Sequence, residues 1–190
     1  MIDFDRTLFL VDGITDLRAL KSKLVQEYEI KSGFRHLNCN GIYVTPECYA
    51  KRASSSISVG LHDRYSTFIC IVDREKRRIS SLTLCLQIKT CILNILPALN
   101  PYSLFVFSPD IMLENWIVAD VVGIKKTGLI NNNSTQESFD GQNGSTVLNG
   151  IMNKKYKKTI HAEQLFVSIR FPIASNNSDS FACFYNEICV

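Results

Sequence analysis

Short unbroken apolar runs alternate along this chain with longer stretches in which apolar residues recur at helical spacing. Leu8-Phe9-Leu10-Val11 and Phe68-Ile69-Cys70-Ile71-Val72 are runs of the first kind, rich in β-branched and aromatic residues, as strands buried on both faces are. Strands are therefore expected at Thr7 to Val11, at Asn40 to Thr45 (closed by Pro46), at Phe68 to Val72 and at Leu104 to Phe107. Leu17, Leu20, Leu24 and Tyr28 share one helical face, which predicts a helix from Leu17 to Ile30 capped by Thr15 or Asp16. A second helix opens at Ser80 or Ser81 and runs to about Leu96. There Leu82, Leu84, Leu86 and Ile88 alternate like a strand, while Cys85, Ile88, Cys91, Ile92 and Ile95 fit a helix; length decides for helix.

The remaining segments complete the pattern. Ala53 to His62 is serine-rich and reads as a loop or short helix, and Ser108-Pro109-Asp110 opens a helix through Asp120. Residues 131–150, dense in Asn, Ser, Gly and Gln, read as a mobile loop or insertion. Residues 151–190 form a C-terminal helical extension, ending in a helix capped by Ser178-Asp179 that packs Phe181, Phe184, Tyr185 and Ile188. No internal repeat is evident. Strands alternating with helices imply an α/β fold, a mostly parallel central sheet sandwiched by helices. At 190 residues, one domain over 1–190 is expected.

Composition narrows the class without naming an activity. The chain is 46% hydrophobic and 21% charged, as soluble globular proteins are. Its net charge of +3 is too small to argue for nucleic acid by itself, so any basic footprint is local, in Arg74-Glu75-Lys76-Arg77-Arg78 or Lys154-Lys155-Tyr156-Lys157-Lys158. The acidic start, Met1-Ile2-Asp3-Phe4-Asp5, does not resemble a secretory signal. The most apolar segment, Leu82 to Leu99, is interrupted by Gln87, Lys89 and Asn94 and reads as a core helix, not a membrane span. The seven cysteines lack paired spacing and read as buried free thiols. A cytoplasmic protein without a membrane segment is expected.

Chemistry concentrates where strands end. Asp12-Gly13-Ile14-Thr15-Asp16 follows the first apolar run and Asp73-Arg74-Glu75 follows the third. Either could be a solvated turn with its side chains capping backbone amides. Both, however, come at the C-terminal end of a buried parallel strand, where α/β sheets open the crevice that binds ligands. Acids gathered at one sheet edge repel unless a cation neutralises them, and hard oxygen donors suit Mg²⁺ or Mn²⁺. Strand alternation would put Asp73 and Glu75 on the same side. Glu114, between Leu113 and Trp116, is a carboxylate in apolar surroundings that needs a partner, a metal or an arginine; Trp116 itself reads as core. His36, His62 and His161 have no ligand or triad spacing, though His62 adjoins Asp63, and Ser54-Ser55-Ser56 lacks a nucleophile elbow.

These motifs, in this order, resemble the TOPRIM domain shared by topoisomerases, primases and OLD-type and RloB-like nucleases. The likeness is greatest to short stand-alone TOPRIM-like bacterial proteins. There the first motif resembles VEGxTE, the second DxE or DxY, the third ExWxxAD, and a late segment SxSF. Here the matching residues are Asp12 to Asp16, Asp73 to Glu75, Glu114 to Asp120, and Ser178 to Phe181. The resemblance spans nearly the whole chain and implies a TOPRIM/Rossmann-like fold and a metal-dependent nuclease that hydrolyses phosphodiesters of DNA or RNA. It implies Asp12, Asp73 and Glu75 as catalytic residues, the same three with Glu114 as ligands of Mg²⁺ (or Mn²⁺), and Asp12 as the acid that aids proton transfer or binds metal. Arg74, Arg77, Arg78, Lys154 and Lys155 read either as solvated surface charge or, beside a phosphodiester site, as nucleic-acid contacts that neutralise backbone phosphates. It also implies a prokaryotic anti-phage or mobile-element context, with an ATPase partner protein; self-association is left open.

One departure bears on activity. Asp12 stands where glutamate is usual, drawing the carboxylate back by roughly 1.5 Å, and misplacement on that scale can cost about 100-fold in rate. Glu75, longer than the usual aspartate, restores some reach. The rival expectation is a catalytically inactive TOPRIM-like module that binds nucleic acid or protein. A nucleotide phosphotransferase finds no Gly-rich phosphate loop in the chain.

Overall fold

The computed structural model describes residues 2–39 and 44–189. Four parallel strands form its sheet: β1 (Thr7–Val11), β2 (Gly33–His36), β3 (Thr67–Ile71) and β4 (Leu104–Phe107), in the order β2-β1-β3-β4. β1 is buried along its whole length, the property its unbroken apolar sequence anticipates. Side chains alternate between two cores. Phe9, Val11, Ile69, Ile71 and Phe107 face one side, and Leu8, Leu10, Phe68, Cys70 and Leu104 face the other. Helices α2 (Pro46–His62) and α3 (Ser81–Ile95) cover the second face. The first face takes α1 (Ile14–Tyr28) and all later helices: α4 (Leu113–Val118), α5 (Val121–Lys125), α6 (Gly144–Ile151), α7 (Lys158–Ser168), α8 (Phe171–Asn177) and α9 (Asp179–Ile188). The expected α/β sandwich is the observed one.

Several local expectations are corrected. Residues 40–43 of the expected second strand lie outside the described residues; Thr45 caps α2, its side chain accepting from Cys48 N at 3.2 Å. The strand beside β1 is instead Gly33–His36, an edge strand whose mixed polarity hides it from an apolar-run criterion. Its Phe34 stacks on Phe9 with ring centroids 5.0 Å apart. The serine-rich segment belongs to α2, seventeen residues long, because Thr45 and Pro46 give the helix a strong start. Gly13, not Thr15 or Asp16, is the N-cap of α1. The helix expected from Ser108 begins only at Leu113 and breaks at Ala119. Helix α3 forms as expected but buries only Leu84, Ile88 and Ile92, leaving Leu82 and Leu86 exposed.

Residues 131–150 are anchored rather than loose. Gln136 accepts from Val121 N at 2.7 Å and donates to Ala119 O at 3.2 Å. Phe139 is buried, Asn115 Nδ2 donates to Gln142 O at 2.8 Å, and 144–151 are helical. Nor are residues 151–189 peripheral: Leu165, Phe166, Phe171, Phe181 and Phe184 share one core with β1 and β3. Helices α1 and α7 lie side by side in the same direction, joined along their length. Ser22 donates to Glu163 at 2.6 Å, and buried Lys23 donates to Val167 O at 2.9 Å and Ile169 O at 2.5 Å. The cysteines are free among the described residues, but only Cys39 and Cys70 are buried; Cys48 and Cys183 are exposed because they fall on the outer faces of α2 and α9. No helix among the described residues is long and apolar enough to cross a membrane.

Asp120, in the break between α4 and α5, holds the C-terminal helices to this core. It is fully buried, accepts from Gly123 N at 2.9 Å, and receives Arg170 through its backbone N (2.7 Å), Nε (2.9 Å) and Nη2 (2.7 Å). Burial alone would raise its pKa, but the Arg170 and backbone donors outweigh it and hold the carboxyl below the usual value. Asp120→Asn is expected to destabilise the fold by about 2 kcal/mol, since the half-exposed Arg170 head can rehydrate. Because the native carboxyl titrates low, its contribution is present above the unfolded-state pKa and lost as pH falls through the native one. Urea unfolding from neutral to acid pH checks both: the gap between wild type and variant should close on the acid side.

Candidate metal centre

The strand order makes the site's location a consequence of topology. From β1 the chain crosses to β2 on one side and later returns to β3 on the other, so the switch point lies between the C-terminal ends of β1 and β3. Sheets of this kind leave a crevice there, because the helices that follow the two strands pack on opposite faces. Asp12 is the first residue beyond β1, and Asp73 is the second beyond β3.

The backbone fixes both. Asp12 N donates to Ile71 O at 3.3 Å and its carbonyl accepts from Cys39 N at 3.2 Å. Asp73 N donates to Asp12 Oδ2 at 3.2 Å, and Asp73 Oδ1 accepts from Leu113 N at 3.0 Å. A third carboxylate, Asp16, folds back from the first turn of α1. The missing side chain of Gly13 makes room for it: a Cβ there would lie 2.6 Å from Asp16 Oδ2. One oxygen from each of Asp12, Asp16 and Asp73 falls within 4.8 Å of the others.

Glu114 and Lys158 complete the cluster. Glu114 is 2% exposed, and its Oε1 accepts from the Tyr156 hydroxyl at 3.0 Å. Gly144 lets α6 press on α4 here, since a Cβ would meet Glu114 C and Asn115 N at 2.5 Å. Lys158, first residue of α7, reaches Asp16 Oδ1 at 2.7 Å, Glu114 Oε2 at 3.5 Å and Asp73 Oδ2 at 3.6 Å. The Asp16 contact is short but out of hydrogen-bond alignment, so that buried oxygen has no hydrogen bond among the described residues.

Glu75 is placed differently from the strand-alternation expectation. β3 ends at Ile71, and the chain turns at Glu75, whose backbone adopts φ 52° and donates to Ile111 O at 2.6 Å. Alternation therefore does not carry to it. It stays near the cluster nonetheless: its charge raises the pKa of Asp12 and Asp16, and its Oε2 is buried without a hydrogen bond among the described residues.

The basic residues divide into tied and free. Arg74 bonds the carbonyls of Asp110, Arg77 (3.0 Å) and Ile79 (3.4 Å). Arg77 bonds those of Asp73 (2.7 Å), Arg74 (3.0 Å) and Val44 (2.6 Å). Both guanidinium groups thus shape the loop after β3. Arg78, Lys154 and Lys155 are exposed. His62 has no part in the cluster, and its neighbour Asp63 pairs with Arg35 at 2.7 Å.

Electrostatics follow from crowding. Burial pushes the Asp12 carboxyl up to about 7, with the Asp16 charge adding and the Asp73 N–H and Lys158 opposing. Asp16 and Asp73 are raised too, again chiefly by burial. For Lys158, burial would lower the pKa, but Asp73, Asp16 and Glu114 outweigh it and hold the ammonium charged. The donor set fits a hard divalent ion: carboxylate oxygens only, two of the buried ones without hydrogen bonds.

Asp16 is the site residue that sequence reasoning assigned to capping; its spacing of four from Asp12, one helical turn, was the available signal. Lys158 was grouped with a surface charge run, and nothing local distinguishes it from Lys157. Comparison with known protein families, with curated proteins and with solved structures gives no match.

Two outcomes are expected in calorimetric titrations with Mg²⁺ or Mn²⁺. Asp16→Asn should weaken binding as much as Asp73→Asn, each by about tenfold or more, whereas neutralising Arg78 should leave it within about twofold. Affinity should rise with pH to about 7 and then level, with protons released on binding, because Asp12 must ionise to serve as a ligand. The metal-free protein should move the other way. A carboxyl that titrates at 3.8 when unfolded and near 7 when folded costs stability as pH rises between those values.

Proposed function

We propose that this chain is a metal-dependent phosphodiesterase of TOPRIM type that cleaves nucleic acid. One observation carries the reading: Asp12, Asp16 and Asp73 bring carboxylate oxygens within 4.8 Å of one another at the β1/β3 switch point. The parallel α/β sheet and the acids after its first and third strands are what the TOPRIM resemblance requires.

In this reading Asp16 and Asp73, with Asp12, hold Mg²⁺ or Mn²⁺. A bound ion there would supply Lewis-acid polarisation of the scissile phosphate and a lowered pKa for its water. The chain's own contribution is positional and protonic. Asp12, whose carboxyl titrates near 7 in the metal-free chain, can give up its proton at neutral pH as the ion is taken up. Leu113 N–H fixes the Asp73 carboxylate, and Tyr156 fixes Glu114. Glu75, with one buried oxygen free, stands by as a further ligand. Arg78, Lys154 and Lys155 are the exposed cations that would neutralise backbone phosphates; Arg74 and Arg77 support them by holding the loop. The defence context and the ATPase partner rest on the resemblance alone.

A second reading is favoured by a different observation. Lys158 already places a positive charge against three of the acids, as a module that has given up metal chemistry would do. A cleavage assay separates the two, using single- and double-stranded DNA and RNA with Mg²⁺ or Mn²⁺. The enzyme reading expects divalent-dependent cleavage, lost by about 100-fold or more in Asp12→Ala and Asp73→Asn, with nucleic-acid affinity within a few-fold. Wild-type protein that binds nucleic acid in proportion to Arg78, Lys154 and Lys155 yet cuts none of these substrates with either ion would leave the binding module standing instead.

A further inference from the structure

Resting on the metal-site reading above, we infer that Lys158 is an exchangeable internal cation: its ammonium occupies the acid cluster in the metal-free protein and leaves when a divalent ion binds. Three features carry this. The first is position. Nζ lies within 3.6 Å of oxygens of Asp16, Asp73 and Glu114, and two of these three residues belong to the carboxylate triad. An ion bound by Asp16 and Asp73 and an ammonium bound by the same two residues compete for one small volume.

The second is charge. Asp12, Asp16, Asp73 and Glu114 face a single ammonium. Like charges held this close and largely out of water repel strongly, so an empty cluster without Lys158 would be strained. A divalent ion offers each carboxylate twice the ammonium's charge, and its binding removes the need for the lysine.

The third is freedom to leave. Lys158 is the first residue of α7, and one third of its side chain is exposed, whereas the Asp16 and Glu114 side chains are 6% and 3% exposed. Its contact with Asp16 is an ion pair out of hydrogen-bond alignment, and its hydrogen bond to Glu114 Oε2 is long, at 3.5 Å. Lys23, a buried lysine on this face, differs in kind. It bonds two backbone carbonyls at the end of α7 and is built to stay.

The experiment compares wild type, Lys158→Met and Lys158→Arg by calorimetric titration with MgCl₂ and MnCl₂ and by thermal unfolding with and without the ion, at matched ionic strength. An exchangeable cation predicts opposite effects. Lys158→Met should lower the melting temperature of the metal-free protein, bind the ion at least about tenfold more tightly than wild type, a gain of about 1.4 kcal/mol, and recover most of the lost stability when the ion is added. Lys158→Arg should stay near wild type in both. In wild-type protein labelled with ¹⁵N, the Lys158 Nζ resonance should shift as MgCl₂ is added and be unmoved by NaCl. This last measurement holds even if Lys158→Met fails to fold.

Wild-type binding with equal or weaker affinity in Lys158→Met, or an Nζ signal unmoved at saturating Mg²⁺, overturns the inference and leaves the metal site intact. Binding by neither protein overturns the metal-site reading itself. Binding by Lys158→Met alone supports the ammonium as occupant and removes metal dependence from the wild-type function.

Discussion

Mutual repulsion among buried carboxylates is the constraint around which this molecule is arranged. Asp16 and Glu114 are almost fully inaccessible, and Asp73 nearly so, yet all three point into the space that Asp12 closes from β1. A carboxylate moved from water to the interior costs several kcal/mol unless it is paired or hydrogen bonded. Each is compensated by a different element: Leu113 N–H for Asp73, Tyr156 for Glu114, Lys158 for Asp16. Apart from Leu113, the compensating groups come from beyond residue 150. The C-terminal segment therefore takes part in the site's electrostatics, and its removal would leave the acids at the sheet edge without their counter-charge.

Packing holds those late residues in place. Trp116, fully buried, donates to Ser180 Oγ at 3.0 Å, stacks on Phe184 with centroids 5.0 Å apart, and meets Phe181 edge-on at 5.3 Å. Ser178 caps the helix that carries all three partners. The third and last sequence motifs are thus two halves of one contact. Within the third motif, Glu114 enters the site, Trp116 anchors α9, and Asp120 clamps Arg170. The spacing of two and then four residues directs one short helix and its break toward three separate tasks.

What could be read from the chain follows the range of the interaction. β1, β3 and β4 are legible because their burial, complete in β1 and partial in β4, leaves unbroken apolar runs, and the end of a parallel strand is a short-range prediction that places Asp12 and Asp73. β2 is not, because Gly33-Phe34-Arg35-His36 is a sheet edge and only Phe34 packs inward against β1. Glu75 marks the limit of strand alternation, which no longer holds four residues beyond the end of β3. Asp16 looks like a cap because carboxylates near helix starts usually are caps; only Gly13's empty Cβ position turns it toward the sheet. Lys158 is beyond local inference altogether, since its role depends on α7 lying beside α1, a contact 142 positions away from Asp16 in number.

Asp12 is where the departure from the TOPRIM-like pattern and the geometry meet. A glutamate at this position would reach further, but the observed aspartate already accepts the Asp73 N–H at 3.2 Å and has Asp16 beside it, one helical turn on. The shorter arm draws the cluster toward the sheet rather than leaving a gap. Asp16 then supplies, from the first turn of α1, the reach that the first carboxylate lacks, and Glu75 adds its charge from a chain bent by its left-handed backbone. The short arm of Asp12 is therefore joined by residues that surround the same volume. The crevice keeps an all-oxygen donor set whether the resident cation is an ammonium or a metal, and Asp12 titrates near neutrality only while no metal is held there.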